Sequence, residues 1–331
     1  MDLTWLDPDR LDGRAAASAL ALLEAVRQVD RPFMAGTTLT PYLAGLRNGY
    51  DGEPASVGLA YGDSGRLSGL LYFFLPRRDN THVAEVDVFV DPVARRWGLG
   101  RALFSHGTDL ARDHGRRLLL SSCVDGSAGV GFLSAMGMER GLEEVLRQLD
   151  VAALDWARLD REAEAALPHA KGYELVRMPS PTPQDMLGDI ATMTAAINDA
   201  PTGTLEIEDE VFTADRIRAY EQAQRAGNRR LYRVVARHRD SGDLAGQTVA
   251  AVDAERPWYA YQHDTSVVRA YRGHRLGLLL KIEMLRWLGE REPQVRRMDT
   301  DNAADNAHMI AVNEVLGYRV VGRTIEWQRR L

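Results

Sequence analysis

Two stretches of this chain combine residue types that bind anions. Asp91-Pro92-Val93-Ala94-Arg95-Arg96-Trp97-Gly98-Leu99-Gly100-Arg101 follows an alternating run, Ala84 to Val90, and leads into an apolar-periodic segment. Glycines at such a junction let backbone N–H groups crowd around an anion, and the positive end of the following helix dipole points the same way. Strand, Gly-rich turn and helix together make a phosphate cradle of the form R-x-x-G-x-G. The G-x-G-x-x-G of dinucleotide folds and the G-x-x-x-x-G-K-[ST] of P-loops are both missing. A motif this short also fits an ordinary glycine-bearing turn, so its weight comes from a second copy. Tyr271-Arg272-Gly273-His274-Arg275-Leu276-Gly277-Leu278 repeats the arginine, the Leu-Gly and the apolar run, with Arg272 177 residues after Arg95 and Gly277 177 after Gly100. The same offset pairs Asp87 with Asp264 without a gap, and Met136-Gly137-Met138 pairs with Leu316-Gly317-Tyr318 at an offset of 180. A period this long marks a duplicated domain; solenoid units repeat every 20–50 residues or so.

The strands entering the cradles carry carboxylates. Period-2 alternation puts Glu85 and Asp87 on one face of the first strand, and Gln262 and Asp264 on one face of the second. Each carboxylate is either a functional group or a strand residue paired with one of the many arginines. Asp264 precedes Arg272 by eight residues and follows Trp258, Tyr259 and Tyr261. Aromatic surroundings raise a carboxylate's pKa by desolvation, toward the working range of a base.

The elements that position these groups read in the same order twice. A helix is expected over 14–29. Thr40-Pro41 suggests an N-cap and N1 proline for a short helix ending near Asn48. Strands at 57–61 and 67–75 join through Gly62-Asp63-Ser64-Gly65, and a strand at 82–90 enters the first cradle. The helix after it ends near His114; Leu118-Leu119-Leu120 is a buried strand, a small helix passes through Phe132, and a strand near 145–149 closes the half. Residues 151–171 are charged, Ala-rich and helix-prone, with Pro168 as a stop. The second half repeats the plan: strands at 173–178, 231–237, 245–254, 259–268 and 297–301, and helices at 185–197, 214–224, 276–288 and 306–316.

Composition sets outer limits. A chain of 331 residues suits two domains of ordinary size, and 45% hydrophobic with 27% charged residues is a globular balance. No apolar run reaches the roughly 20 residues that span a bilayer, and no signal-peptide pattern opens the chain. A net charge of −6 argues against nucleic-acid binding. Two lysines, Lys171 and Lys281, stand against 39 arginines, a compositional bias, and clusters such as Arg329-Arg330 are read as solvated surface. One cysteine, Cys123, excludes an internal disulfide and is read as a buried small residue in a cytoplasmic protein. No His/Cys/carboxylate spacing suggests a metal.

The cradle R-x-x-G-x-G and its repeat resemble the acyl-CoA loop of the GNAT superfamily of N-acetyltransferases, most strongly over 84–104 and 258–318. The two-domain layout is similar to that of the mycothiol synthase family. The resemblance implies tandem domains at 1–152 and 172–331 with a connector at 153–171. Each would be an α/β (α+β) fold with a mixed, mostly antiparallel sheet flanked by helices. It implies acetyl-CoA as cosubstrate, held by strand backbone (Val88, Val90, Val267) and by the loops (Arg95, Arg96, Gly98, Gly100 and Arg101; Arg272, Gly273, Arg275 and Gly277). Arg275 stands where the first glycine should be; it would either add a charge-assisted phosphate contact or crowd the loop.

The family's general base is often a carboxylate on the central strand, which points to Asp264, Glu85 and Asp87. Asn306 matches the asparagine that opens the fourth helix. The tyrosine that returns a proton to CoA is replaced by Asn313 in one copy and Leu133 in the other, and neither side chain is an acid. The acidic run Glu206, Glu208, Asp209, Glu210 falls where these domains bind acceptors. The implied activity is acetyl transfer from acetyl-CoA to a small-molecule primary amine, with catalysis in the second copy, no nucleic-acid or membrane partner, and a monomer or homodimer. A non-catalytic CoA-binding or dimerisation module and a tandem-GNAT aminoacyl transferase are the alternatives.

Overall fold

Alternating apolar strands need a covered face, and the amphipathic segments between them supply it. The computed structural model describes residues 3–7, 13–62 and 65–331, so the turn Asp63-Ser64 lies outside the described residues. In chain order the elements are β1 (Thr4–Trp5), α1 (Gly13–Asp30), α2 (Leu39–Asn48), β2 (Ser56–Tyr61), β3 (Leu67–Phe74), β4 (Val83–Val90), α3 (Leu99–Asp113), β5 (Leu118–Val124), α4 (Ala128–Ala135) and β6 (Glu139–Asp150). They continue as α5 (Trp156–Ala166), β7 (Tyr173–Met178), α6 (Leu187–Thr194), α7 (Ala214–Ala226), β8 (Arg229–His238), β9 (Leu244–Asp253), β10 (Tyr259–Val267), α8 (Leu276–Arg291), β11 (Arg297–Ala303), α9 (Ala307–Leu316) and β12 (Arg319–Arg330). The N-cap of α2 is Thr38, two residues before the expected Thr40, so Pro41 sits inside the first turn.

The chain forms two compact units whose boundaries are not linear in sequence: 1–144, 202–209 and 322–331 in the first, 145–201 and 210–321 in the second. In the first unit the strand order is β1-β2-β3-β4-β5, completed by the end of β12, where Thr324 to Arg330 run antiparallel to Val124 to Leu118. The core gathers Leu71, Val86, Leu103, Phe104, Leu119 and Trp327. In the second unit the order is β11-β10-β9-β8-β7. Residues 153–171 fold largely as α5, whose Leu159, Ala163 and Ala166 join Val234, Leu280, Met284 and Met298 in that unit's core. Each sheet is mostly antiparallel, with one short parallel pair, β4 with β5 and β10 with β11.

Those parallel pairs are short. β4 and β5 are in register only from Val83↔Leu118 to Glu85↔Leu120, and β10 and β11 only from Tyr259↔Arg297 to Tyr261↔Asp299. Past these points each central strand leaves its parallel neighbour, and the cradle loop follows. The two central strands differ in one respect. β4 pairs with β3 in unbroken register. β10 pairs Gln262 with Ala250 and then Thr265 with Thr248, so His263 and Asp264 together oppose one residue, Val249. This is a β-bulge, which adds a residue and turns the local side-chain phase.

Candidate active site

The two loops share a backbone. Each has two residues in the left-handed region: Arg96 (φ 72°) and Gly98 (φ 90°) in the first, Gly273 (φ 86°) and Arg275 (φ 54°) in the second. The copies have exchanged glycine and arginine between these two positions, so each loop places one arginine where L side chains cost about 1–2 kcal/mol. The departure at Arg275 is therefore half of a swap, and Gly273 is its complement. A Cβ added at Gly98 or Gly273 would meet no heavy atom within 4 Å, leaving the loop face open. The first helical amides after Gly98 and Arg275 lack intrahelical partners by geometry and point with the positive dipole end. An open, amide-lined concavity of this kind fits a pyrophosphate. Gly98, Gly100 and Gly277 would admit it, and the exposed guanidinium groups of Arg96, Arg101 and Arg275 would pair with it.

Arg95 and Arg272 do something else with their side chains. Arg95 Nε donates to the Val90 carbonyl at 3.2 Å, and its two terminal nitrogens donate to both oxygens of Asp30 at 2.9 and 2.6 Å. Arg272 Nε donates to the Val267 carbonyl at 3.0 Å and Nη2 to Asp199 at 2.6 Å, with Arg269 on the other oxygen. Both arginines thus clamp the end of a central strand to an aspartate that lies earlier in the sequence than that strand. Asp30 and Asp199 carry no local motif, and only the repeated arginine hints that they are needed. The clamp also takes one of the two acceptor positions of the Val90 and Val267 carbonyls.

The carboxylates separate. Glu85 and Asp87 share one face, as alternation predicts, and line a cleft of about 580 Å³ with Arg31, Tyr42, Tyr72 and Phe89. Asp87 accepts hydrogen bonds from Ser121 Oγ at 3.1 Å and the Ser122 amide at 3.0 Å, across the gap where β5 leaves β4. Burial raises its pKa, and those two bonds and Arg31 oppose the rise. Gln262 and Asp264 do not share a face, because the bulge intervenes. Gln262 turns to Tyr318 Oη and Thr248 Oγ1 at 2.8 Å each. Asp264 faces Arg233, Glu210, Asp301 and Arg216, makes no hydrogen bond among the described residues, and is pushed up to about 6, first by burial. His263 beside it bonds Tyr220 Oη at 2.6 Å, and burial brings its pKa down to about 3, so it is neutral.

Asn306 caps α9, its side chain accepting from the Met309 amide at 3.2 Å. Asn313 is fully buried and bonds Lys281 and Asn302. Val88 lies on β4 toward its open end, partly exposed. The acidic run divides between the two units. Glu206 pairs with Arg330 at 2.7 Å, the Glu208 amide donates to Asn80, and both belong to the first unit, while Glu210 pairs with Arg216 in the second. Cys123 accepts from Trp327 Nε1 at 3.2 Å, and burial raises its pKa. Among the described residues no group of three His, Cys, Asp or Glu could hold a metal, and no helix is long and apolar enough to cross a membrane.

Residues 23–138 match the acetyltransferase (GNAT) family. Over 164 residues the chain is 32% identical to the mycothiol acetyltransferase of Geodermatophilus obscurus; the match covers 49% of this chain and 48% of that protein, so it spans about half the length of each. A solved tandem GNAT protein from the clavulanic acid biosynthesis pathway superposes with a TM-score of 0.79 at 29% identity, covering 99% of this chain and 98% of the other. A GCN5-related N-acetyltransferase from Sphaerobacter thermophilus shares the fold over 99% and 95% of the two chains, at a TM-score of 0.67 and 16% identity. With a strand–loop–helix cradle in each unit, the chain matches the GNAT acetyltransferase family over residues 23–138 and is similar along its length to a solved tandem GNAT protein.

Proposed function

We propose that this protein transfers an acetyl group from acetyl-CoA to the primary amine of a small molecule, with the chemistry in the second unit. The observation that carries this is Asp264, a largely buried carboxylate held at a bulge, without hydrogen bonds among the described residues, between the splay of β10 from β11 and the cradle at 272–277. With a pKa near 6 it is ionised at neutral pH and basic enough to take a proton from an acceptor ammonium, which frees the amine to attack. Val267 and the loop from Arg272 to Gly277 would orient the cosubstrate, and its thioester supplies the activated acetyl group. Asn306 and the Arg272–Asp199 clamp keep helix and strand ends in place around it. The first unit would bind the same cosubstrate through Gly98 and Gly100, with Glu85 and Asp87 as its corresponding base candidates. The partial likeness to a mycothiol acetyltransferase supports acetyl transfer as the reaction class. Calorimetry with acetyl-CoA and turnover against a panel of amines test the reading. Absence of binding at millimolar acetyl-CoA would overturn it.

A further inference from the structure

In a chain with 39 arginines, one of its two lysines is among the least exposed residues. Lys281 lies on the buried helix α8 at 1% exposure. Among the described residues no carboxylate forms an ion pair with it. Its Nζ donates to Asn313 Oδ1 at 2.5 Å and stands 5.0 Å from the centre of the Tyr318 ring. Burying a cation this way costs several kcal/mol unless its neighbours compensate, and a buried pairless charge calls for a reason.

The donor inventory dictates what the neighbours must do. An ammonium has only donors, so Asn313 must turn its oxygen toward Lys281 and its NH₂ away. That NH₂ donates to Asn302 Oδ1 at 2.6 Å. Asn302 must then turn its own NH₂ outward, and those hydrogens make no other hydrogen bond among the described residues. Asn302 is partly exposed and stands on β11 three residues past Asp299, the last residue in register with β10. The ammonium thus terminates a chain of two amides whose free donors lie beyond the point where the strands part. Hydrogen bonds in such a chain polarise one another. A lysine suits the inner end because a compact charge serves one acceptor, where an arginine fork would need two.

We propose that the Asn302 side-chain amide, oriented and polarised by Lys281 through Asn313, donates to the sulfur that leaves the acetyl-CoA thioester, which makes Lys281 a positioning residue. This rests on the second unit being the transferring site. In the step, the amine whose ammonium proton Asp264 has taken bonds the carbonyl carbon through nitrogen, the C–S bond breaks with its electron pair on sulfur, and the proton that the nitrogen then sheds passes through water to sulfur. A preorganised donor at the sulfur stabilises the charge that develops there. The groups facing Lys281 are Asn313 and Tyr318 and, as a like charge, Arg147 on β6; burial, then Arg147, brings Lys281 down to about 7.

The test uses the full chain carrying Gly98→Glu, so that bound CoA reports the second cradle. The ionisation of the bound CoA thiol is read from thiolate absorbance against pH, with desulfo-CoA as a binding control. Lys281→Met and Asn302→Ala should each weaken thiol acidity about tenfold, leave desulfo-CoA affinity at its parent value, and lower kcat roughly 10²-fold, the loss expected for one oriented donor. Asn302 is partly exposed, so its variant carries the test if Lys281→Met does not fold. CoA that binds with parent thiol acidity in Asn302→Ala overturns the inference alone. No CoA binding in the Gly98→Glu chain overturns the assignment of the second site, and the inference with it.

Discussion

Asp87 and Asp264 occupy the same position of the repeat, 177 residues apart, yet the two central strands hold them differently. On the regular ladder of β4 and β3, Asp87 sits opposite Tyr72 and reaches β5, where a serine hydroxyl and a backbone amide fix it. On β10 the extra residue of the bulge removes Asp264 from that geometry and leaves it without a donor among the described residues. One carboxylate bridges two strands that would otherwise part; the other stays open to a proton. The same residue type at the same place is tied across two strands or left without a donor among the described residues depending on one inserted residue in the ladder.

Several substitutions would break or sharpen this contrast. Asp264→Asn should lower kcat by roughly 10²–10⁴-fold, the span for a lost general base, with acetyl-CoA affinity near its parent value. If Asp87→Asn produces that loss and Asp264→Asn does not, the roles of the two strands are reversed. Gly277→Glu should cut acetyl-CoA binding at the second cradle by more than about tenfold through charge and bulk, read by calorimetry alongside Gly98→Glu. Turnover that survives Gly277→Glu and fails with Gly98→Glu would move the chemistry to the first unit.

The pH dependence of stability tests Asp264 as well. Asp264 binds its proton more tightly folded (about 6) than unfolded (3.8), so the folded state holds the extra proton between those values. Stability should fall as pH rises from about 4 to about 6, by about 3 kcal/mol in total. Chemical denaturation across that range should show the fall in the parent and a smaller one in Asp264→Asn, where only Asp87 still contributes; a fall of equal size in both would refute the assignment. The clamps come next. Arg95→Ala leaves Asp30 without its bidentate partner, and stability should drop by about 1–3 kcal/mol in urea denaturation. The smallest effect is Arg275→Gly. Relieving the left-handed conformation should raise stability by roughly 1 kcal/mol or less after the glycine's unfolded-state entropy is counted. A loss of stability would mean that the Arg275 side chain braces the loop.

Much of this was legible in the chain, because the signals are local. A strand, a loop with left-handed positions and an apolar helix follow one another within twenty residues or so of either cradle, and Glu85 with Asp87 needed only regular alternation. Asp264 kept its place but lost its predicted face, because a bulge depends on how two strands close on each other and leaves no period in one of them. Thr38 outcompeted Thr40 as the cap of α2 by the same kind of nonlocal choice of where the helix begins.

By itself, the amino-acid order determined the duplication, the two cradles and the candidate carboxylates, since each is written in contiguous residues whose backbone preferences act at short range. Tertiary structure alone decided which partners those residues meet. Asp30 and Asp199 became clamps, the run from Glu206 to Asp209 joined the first unit, and the final strand of the chain completed that unit's sheet. It also enclosed Lys281, which the sequence presents as one of two rare lysines, among groups that force two amides into one orientation. Burial, desolvation and pairing belong to surfaces that come together from distant segments, and no local pattern encodes which surfaces those are.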